Sequence, residues 1–185
     1  MNLEDVRCRA ELIEAIALGE KPKFLFFWGH TPRVPGEVDQ SCLSNWFPAP
    51  FSVGEHEYAT TEHFMMAEKA RLFGDREMED AILGCTDPGK AKAFGRKVAG
   101  FDESVWNRER FAIVVEGNLA KFSQHSEMGD LLKRTGNKVI VEASPRDRIW
   151  GIGMGKSNES AEAPSKWRGE NLLGFALMEV RSKLA

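Results

Sequence analysis

The sequence predicts an α+β fold, rich in helix, with a small β-sheet and a single domain. Three observations predict it. Apolar residues recur at helical spacing over most of the 185-residue chain. The β-like runs are few and short. Turn and cap residues separate these segments without any linker or internal repeat, and this length supplies one domain's worth of core.

Each element has its own signal. Residues 3–18 read as a helix, with Leu3, Val6, Ala10, Ile13 and Ala17 as its stripe and Gly19 as its stop. Phe24-Leu25-Phe26-Phe27 suits a short buried strand, and Gly29 to Cys42 is a loop. Phe51–Val53 and His56–Tyr58 flank Gly54-Glu55 as a hairpin. Thr60 or Thr61 caps a helix running through Phe73 and stopped by Gly74. Asp75 to Leu83 is the next helix, and Asp87-Pro88 opens another that runs to about Val98. Ser104 to Phe122 is the longest, followed by a helix over 127–134, a β-branched strand over 138–142, an irregular stretch over 144–169 and a closing helix over 170–184.

Composition narrows the function. Lys and Arg number 25 against 28 Asp and Glu, for a net charge of −3. That balance disfavours non-specific duplex binding but leaves room for a local phosphate pocket. With 42% apolar and 29% charged residues the chain is an ordinary globular protein. No apolar run approaches the roughly 18 residues that span a bilayer. The acidic start Met1-Asn2-Leu3-Glu4-Asp5 is no signal peptide, and Cys8, Cys42 and Cys85 fit neither a disulfide framework nor a zinc site. A cytoplasmic location with reduced thiols is expected. The aromatic set is unusual: 12 Phe, 5 Trp and one Tyr. A tryptophan brings a flat face and one N–H donor, so each is either core or a stacking platform.

Several motifs fail. The run Trp150-Gly-Ile-Gly-Met-Gly-Lys-Ser157 lacks the first glycine of a Walker loop and the third of a dinucleotide fingerprint. Its glycines either free the backbone to approach a ligand closely or form a plain surface turn. The four histidines have no metal-ligand spacing, and no nucleophile elbow occurs. One constellation survives. Glu62 and Lys69 lie seven residues apart, about two helical turns, so they share a face with Met66 between them and Met65 beside it. Glu62 falls in the first turn, where the helix dipole favours its ionised form. Both are either solvated surface charges or part of a site. Polar groups also gather beside aromatics in Ser44-Asn45-Trp46-Phe47 and in 144–151, where Asp147 either caps a turn or serves a ligand.

At these residues the chain resembles the YbiA-like family, also called NADAR. The resemblance rests on an ordered set: Phe26-Phe27-Trp28, Leu43-Ser-Asn-Trp-Phe47, Tyr58-Ala-Thr-Thr-Glu-His-Phe64 with Ala67-Glu-Lys69, Gly95-Arg96, Trp106, Lys121-Phe122, Ile140-Val-Glu142, Asp147 with Trp150-Gly151, and Gly169-Glu-Asn-Leu-Leu-Gly174 before Arg181. It covers residues 24–185 as one domain and leaves 1–23 as an N-terminal helical extension. The loops over 29–42 and 154–168 look longer than in compact members.

The resemblance implies an N-glycosidase, which hydrolyses the bond between a ribose and a heterocyclic base. One branch is similar to enzymes acting on phosphoribosylamino-pyrimidines of riboflavin synthesis, another to enzymes removing ADP-ribose from guanine in nucleic acid. A catalytically silent ADP-ribose or nucleotide-binding module is the reading from another class. The expected partner is a small phosphoribosyl or ADP-ribosyl substrate, or ADP-ribosylated nucleic acid, with no membrane, no metal and no cofactor. The chemistry builds positive charge on the ribose and asks for a carboxylate. Glu62 is expected to supply it, with Lys69 steering it or binding phosphate, and Asp147 positioning a hydroxyl or base edge. Trp46, Trp106 and Trp150 are expected platforms, Trp28 platform or core. Arg96 and Arg148 are phosphate candidates, and Ser44, Asn45, Gly151 and Asn171 join the binding set from the matched segments.

Overall fold

The structure is a computed structural model that describes residues 2–184. Its order is α1 (Arg9–Ala17), β1 (Phe24–Phe27), β2 (Phe51–Val53), β3 (His56–Tyr58), α2 (Thr61–Leu72), α3 (Arg76–Leu83), α4 (Pro88–Gly95), α5 (Glu103–Gln124), α6 (Ser126–Arg134), β4 (Val139–Glu142) and α7 (Leu172–Lys183). This is the helix-rich α+β architecture that the sequence predicts. The sheet is divided, however: β1 pairs with β4 in parallel, and β2 pairs with β3 as an antiparallel hairpin. The chain falls into two compact units, one built from residues up to Ser44 and from Glu127 onward, the other from Asn45 to Ser126.

In the first unit, β1 and β4 align with Phe24 beside Val139 and Phe27 beside Glu142. Strand β4 is buried through Val139, Ile140 and Val141, and α7 lies against it. The packing is close enough that a Cβ at Gly174 would overlap the Ile140 carbonyl. The N-terminal segment departs from the expected continuous helix. A short 3-10 turn over Leu3–Asp5 precedes α1, so the phase shifts and Leu12 and Ala15 are buried while Ala10 and Ala17 are exposed. The Arg9 guanidinium donates to the Pro164 carbonyl at 2.8 Å, which docks α1 on the irregular 144–169 stretch. Trp167 is buried there, donating its indole N–H to the Ala161 carbonyl at 2.7 Å and meeting Phe24 edge-on.

In the second unit α2 is the central element. Residues 61–67 and Ala70 are buried, so the first two turns of the helix have no solvent stripe. Helices α3, α4 and α5 surround it. Gly95 of α4 faces the Met66 thioether, and Gly117 of α5 faces the Phe64 ring, so a side chain at either would overlap α2. Gly54 holds the hairpin turn at φ +61° and Gly74 ends α2 at φ +72°, both in the left-handed region expected for glycine. Helix α4 ends at Gly95, short of the expected Val98.

Each unit closes one open sheet edge with a side-chain amide. Asn171 accepts from the Glu142 N–H at 2.9 Å and donates to the Ile140 carbonyl at 2.9 Å. Gln124 accepts from the Ser52 N–H at 2.9 Å and donates to the Ser52 carbonyl at 2.8 Å. Each amide takes the place of a neighbouring strand for that stretch of edge.

Two predictions come from this packing. Asn171→Ala leaves two buried backbone groups on β4 without partners and is expected to cost about 2–5 kcal/mol. Chemical denaturation measures it, and an unchanged midpoint would contradict the edge role. The second concerns His63 in α2, whose Nδ1 lies 2.8 Å from the Thr60 hydroxyl. Burial lowers its pKa, against weaker upward pulls from Asp87 and the Cys85 backbone. The folded state therefore disfavours the imidazolium that the unfolded chain accepts below about pH 6.5. Stability should fall as pH drops through that value, and the loss between pH 7.5 and 5.5 should shrink in His63→Gln, read by urea denaturation.

Candidate functional site

The candidate residues divide between the units, and each group stands by itself. In the Asn45–Ser126 unit, Glu62 is 3% exposed in the first turn of α2. It is thus not a solvated surface charge. Thr60 caps that helix, its hydroxyl accepting from the His63 N–H. The Glu62 N–H donates to the Asn45 carbonyl at 2.9 Å, while the Asn45 side-chain oxygen accepts from Asn118 at 3.1 Å. Asn45 therefore ties the start of α2 to α5. The carboxylate sits where the unsatisfied N–H groups of the first turn favour negative charge, a field typically contributing 0.3–2 kcal/mol.

Two turns on, the Lys69 ammonium is half-buried and donates to the Gly95 carbonyl at 2.8 Å. It lies 4.2 Å from the Phe101 ring centre and 5.5 Å from that of Trp106. The same Gly95 that lets α4 approach Met66 thus offers its carbonyl to Lys69. Burial lowers the Lys69 pKa, and the two ring faces favour the cation electrostatically. Trp106 is nearly buried, so it serves as a wall under the ammonium more than as an open platform. Trp46 is half-buried, with Gly89 against its ring and the Lys92 ammonium 5.8 Å from its centre. Arg96 caps the end of α4 and is exposed.

The pattern search passed over one charged group here. Lys121 of α5 is fully buried, its ammonium 5.7 Å from the Phe47 ring and 5.0 Å from the Phe122 ring. A lysine at 0% exposure is rare, and that burial depends on packing that no local spacing reports.

In the other unit, Asp147 accepts from the Ile149 and Trp150 N–H groups at 2.8 and 2.7 Å through one oxygen. Its own N–H donates to the Ser144 hydroxyl at 3.2 Å. The carboxylate shapes the turn that carries Arg148, exposed, and Trp150, half-buried. The glycines that follow approach the chain itself. A Cβ at Gly151 would press on the Glu142 carbonyl, and one at Gly169 would overlap the Gly151 carbonyl. Gly153, at φ +67°, fits between Arg148 and Arg168. Gly151 is thus packed closely against its own chain. Asn171, at φ +57° and 0% exposed, gives its side-chain amide to β4. Ser44 is buried at the end of a 3-10 turn, its N–H donating to the Ser41 carbonyl at 3.1 Å. Trp28 is 67% exposed, just past the end of β1, and it is the open aromatic face among the five tryptophans.

Comparison with known proteins agrees with this chemistry. The NADAR domain family model matches residues 26–185. An N-glycosidase of Acanthamoeba polyphaga mimivirus is 42% identical over 169 residues, covering 89% of this chain and 98% of that protein. The protein irg-1 of Caenorhabditis elegans is 38% identical, covering 79% and 77%. The solution structure of the Escherichia coli protein YbiA superposes with a TM-score of 0.70 at 26% identity, over 89% of this chain and 86% of that one. No described helix is long and apolar enough to cross a membrane. The chain belongs to the NADAR-domain family, and by homology with members named as N-glycosidases it is a hydrolase of that class.

Proposed function

We propose that the chain hydrolyses the N-glycosidic bond between a heterocyclic base and a ribose that is phosphorylated or part of ADP-ribose, with Glu62 as the catalytic carboxylate. The observation that carries this reading is a carboxylate out of water in the first turn of a buried helix. The bond between C1′ and the base nitrogen breaks, its electrons leave with the base, and positive charge spreads over C1′ and the ring oxygen. A fixed carboxylate lowers the energy of that cation and accepts a proton from the water that adds to C1′. The base nitrogen takes up a proton, so the products are the free base and the free sugar. The field at the start of α2 favours the charged form that both roles require.

The other residues have supporting parts in this proposal. Lys69 supplies a cation for a phosphate or ribose oxygen. Trp106 holds that cation in place, and Trp46 gives a partial face to the base. Arg96, exposed at the end of α4, meets a phosphate oxygen.

Glu62→Gln keeps the shape and removes the charge, so hydrolysis should fall at least about 100-fold while ligand affinity stays within a few-fold. The assay incubates the protein with ADP-ribosylated guanine DNA, and separately with the phosphoribosylamino-pyrimidine. Released base or sugar is read by mass spectrometry. Full activity in a folded Glu62→Gln protein would remove Glu62 from the mechanism. Saturable binding with no release from either substrate would make the chain a binding module. Trp106→Ala should loosen Lys69 and raise KM more than it lowers kcat; unchanged kinetics would remove the wall from the account.

A further inference from the structure

A cleft of about 380 Å³ shares no lining residue with the candidate site. Glu4, Lys133, Gly136, Met178, Arg181 and Ser182 line it, all within the unit built from residues up to Ser44 and from Glu127 onward. Arg181 of α7 is its unusual member. It is 9% exposed, and arginines are rarely buried unless a carboxylate meets them. Its Nη1 donates to the Thr135 hydroxyl at 2.7 Å and to the Lys138 carbonyl at 2.9 Å, just before β4. Those two bonds use both hydrogens of Nη1. Among the described residues the Nε and Nη2 hydrogens have no acceptor, and no carboxylate lies within ion-pair distance. These nitrogens are not sealed from solvent, and the cleft that Arg181 lines is their way out. Burial pushes the Arg181 pKa down, which Glu4 opposes from a distance and Arg7 reinforces. The neighbouring cations are already answered, Lys133 by Asp130 at 2.9 Å and Arg7 by Glu179 at 3.5 Å.

We propose that this cleft binds a small organic monocarboxylate, with its two oxygens on Nε and Nη2 of Arg181 and its apolar body over Met178 and Gly136. The Nε hydrogen and one Nη2 hydrogen point the same way and match both oxygens of a carboxylate. The Nη1 bonds fix the guanidinium before any ligand arrives, so little ordering remains to be done on binding. One guanidinium balances one negative charge, and the Glu4 carboxylate on the rim repels a second. A monoanion is therefore favoured over a phosphate. Gly136, at φ +59°, brings no side chain, and a Cβ there would meet nothing within 4 Å, so the mouth stays open to an apolar group. Met178 adds a flexible thioether wall that adapts to that group. Binding breaks no bond and is independent of Glu62.

The probe is phenylacetate, titrated into the whole chain by calorimetry and followed at the Arg181 Nε–H signal in a proton–nitrogen correlation spectrum. That signal is assigned by its loss in Arg181→Lys. Saturable binding with a Kd of about 1 mM or below is expected, and the Nε–H signal should move along the same isotherm. Phenylacetamide has the same shape without the charge and should bind at least about tenfold more weakly. Ser182→Trp fills the cleft and should abolish binding. Glu4→Gln removes the repelling charge and should tighten binding about two- to fivefold. Both side chains are exposed, so these variants should keep the parent's melting curve. Glu62→Gln should bind phenylacetate like the parent, which keeps this site distinct from the proposed hydrolysis. The proposal is overturned if phenylacetate shows no saturable binding, or if phenylacetamide binds as tightly. Inorganic phosphate moving the Arg181 signal as far as phenylacetate does, or Ser182→Trp binding like the parent, would overturn it equally.

Discussion

Helix α2 is buried on every side through its first two turns, and the second unit is organised around that burial. A helix without a solvent stripe has no amphipathic face to orient it. Its neighbours must therefore approach closely from several directions. Gly95 and Gly117 allow this, one beneath Met66 and the other against Phe64. The close approach makes the polar groups of α2 costly unless they are met. Thr60 meets His63, Asn45 meets the Glu62 N–H, and the Gly95 carbonyl meets Lys69. The residues proposed for chemistry are thus held by the same contacts that seal the helix. A site set in this way is pre-organised, since a buried side chain has few other rotamers to visit.

The first unit answers a different problem. Two paired strands leave two open edges, and a pair this small is marginal by itself. Helix α7 covers β4, and Asn171 completes its free edge from the turn just before that helix. The left-handed conformation of Asn171 and the close approach at Gly174 belong to this one junction. Gln124 completes the hairpin edge in the other unit by the same chemistry. In both cases a side-chain amide stands in for a strand.

Local elements were legible wherever a cap or a stop declared them. Thr60 with Gly74, Asp75 with Gly84, and Asp87-Pro88 mark helices that the structure places within a few residues of expectation. The hairpin at Gly54-Glu55 and the strand over 24–27 were equally plain. The N-terminal stripe misled because a break after Asp5 shifts the helical phase, and periodicity read across a break describes neither side. The pairing of β1 with β4 was not legible either, because parallel strands far apart in the chain share no turn that would signal their register.

The sequence by itself determined the element order, the family, the N-glycosidase class and the pairing of Glu62 with Lys69 on one helix. These follow from local chemistry and from residues in a fixed order. Only the tertiary structure decided which groups are in water. It buried Glu62 and Lys121, gave Asp147 to a turn and Asn171 to a strand edge, and left Trp28 open in a cleft with Arg33 and Lys156. Burial is a property of what packs around a residue. That packing joins segments distant in the chain, so no spacing along the sequence carries it.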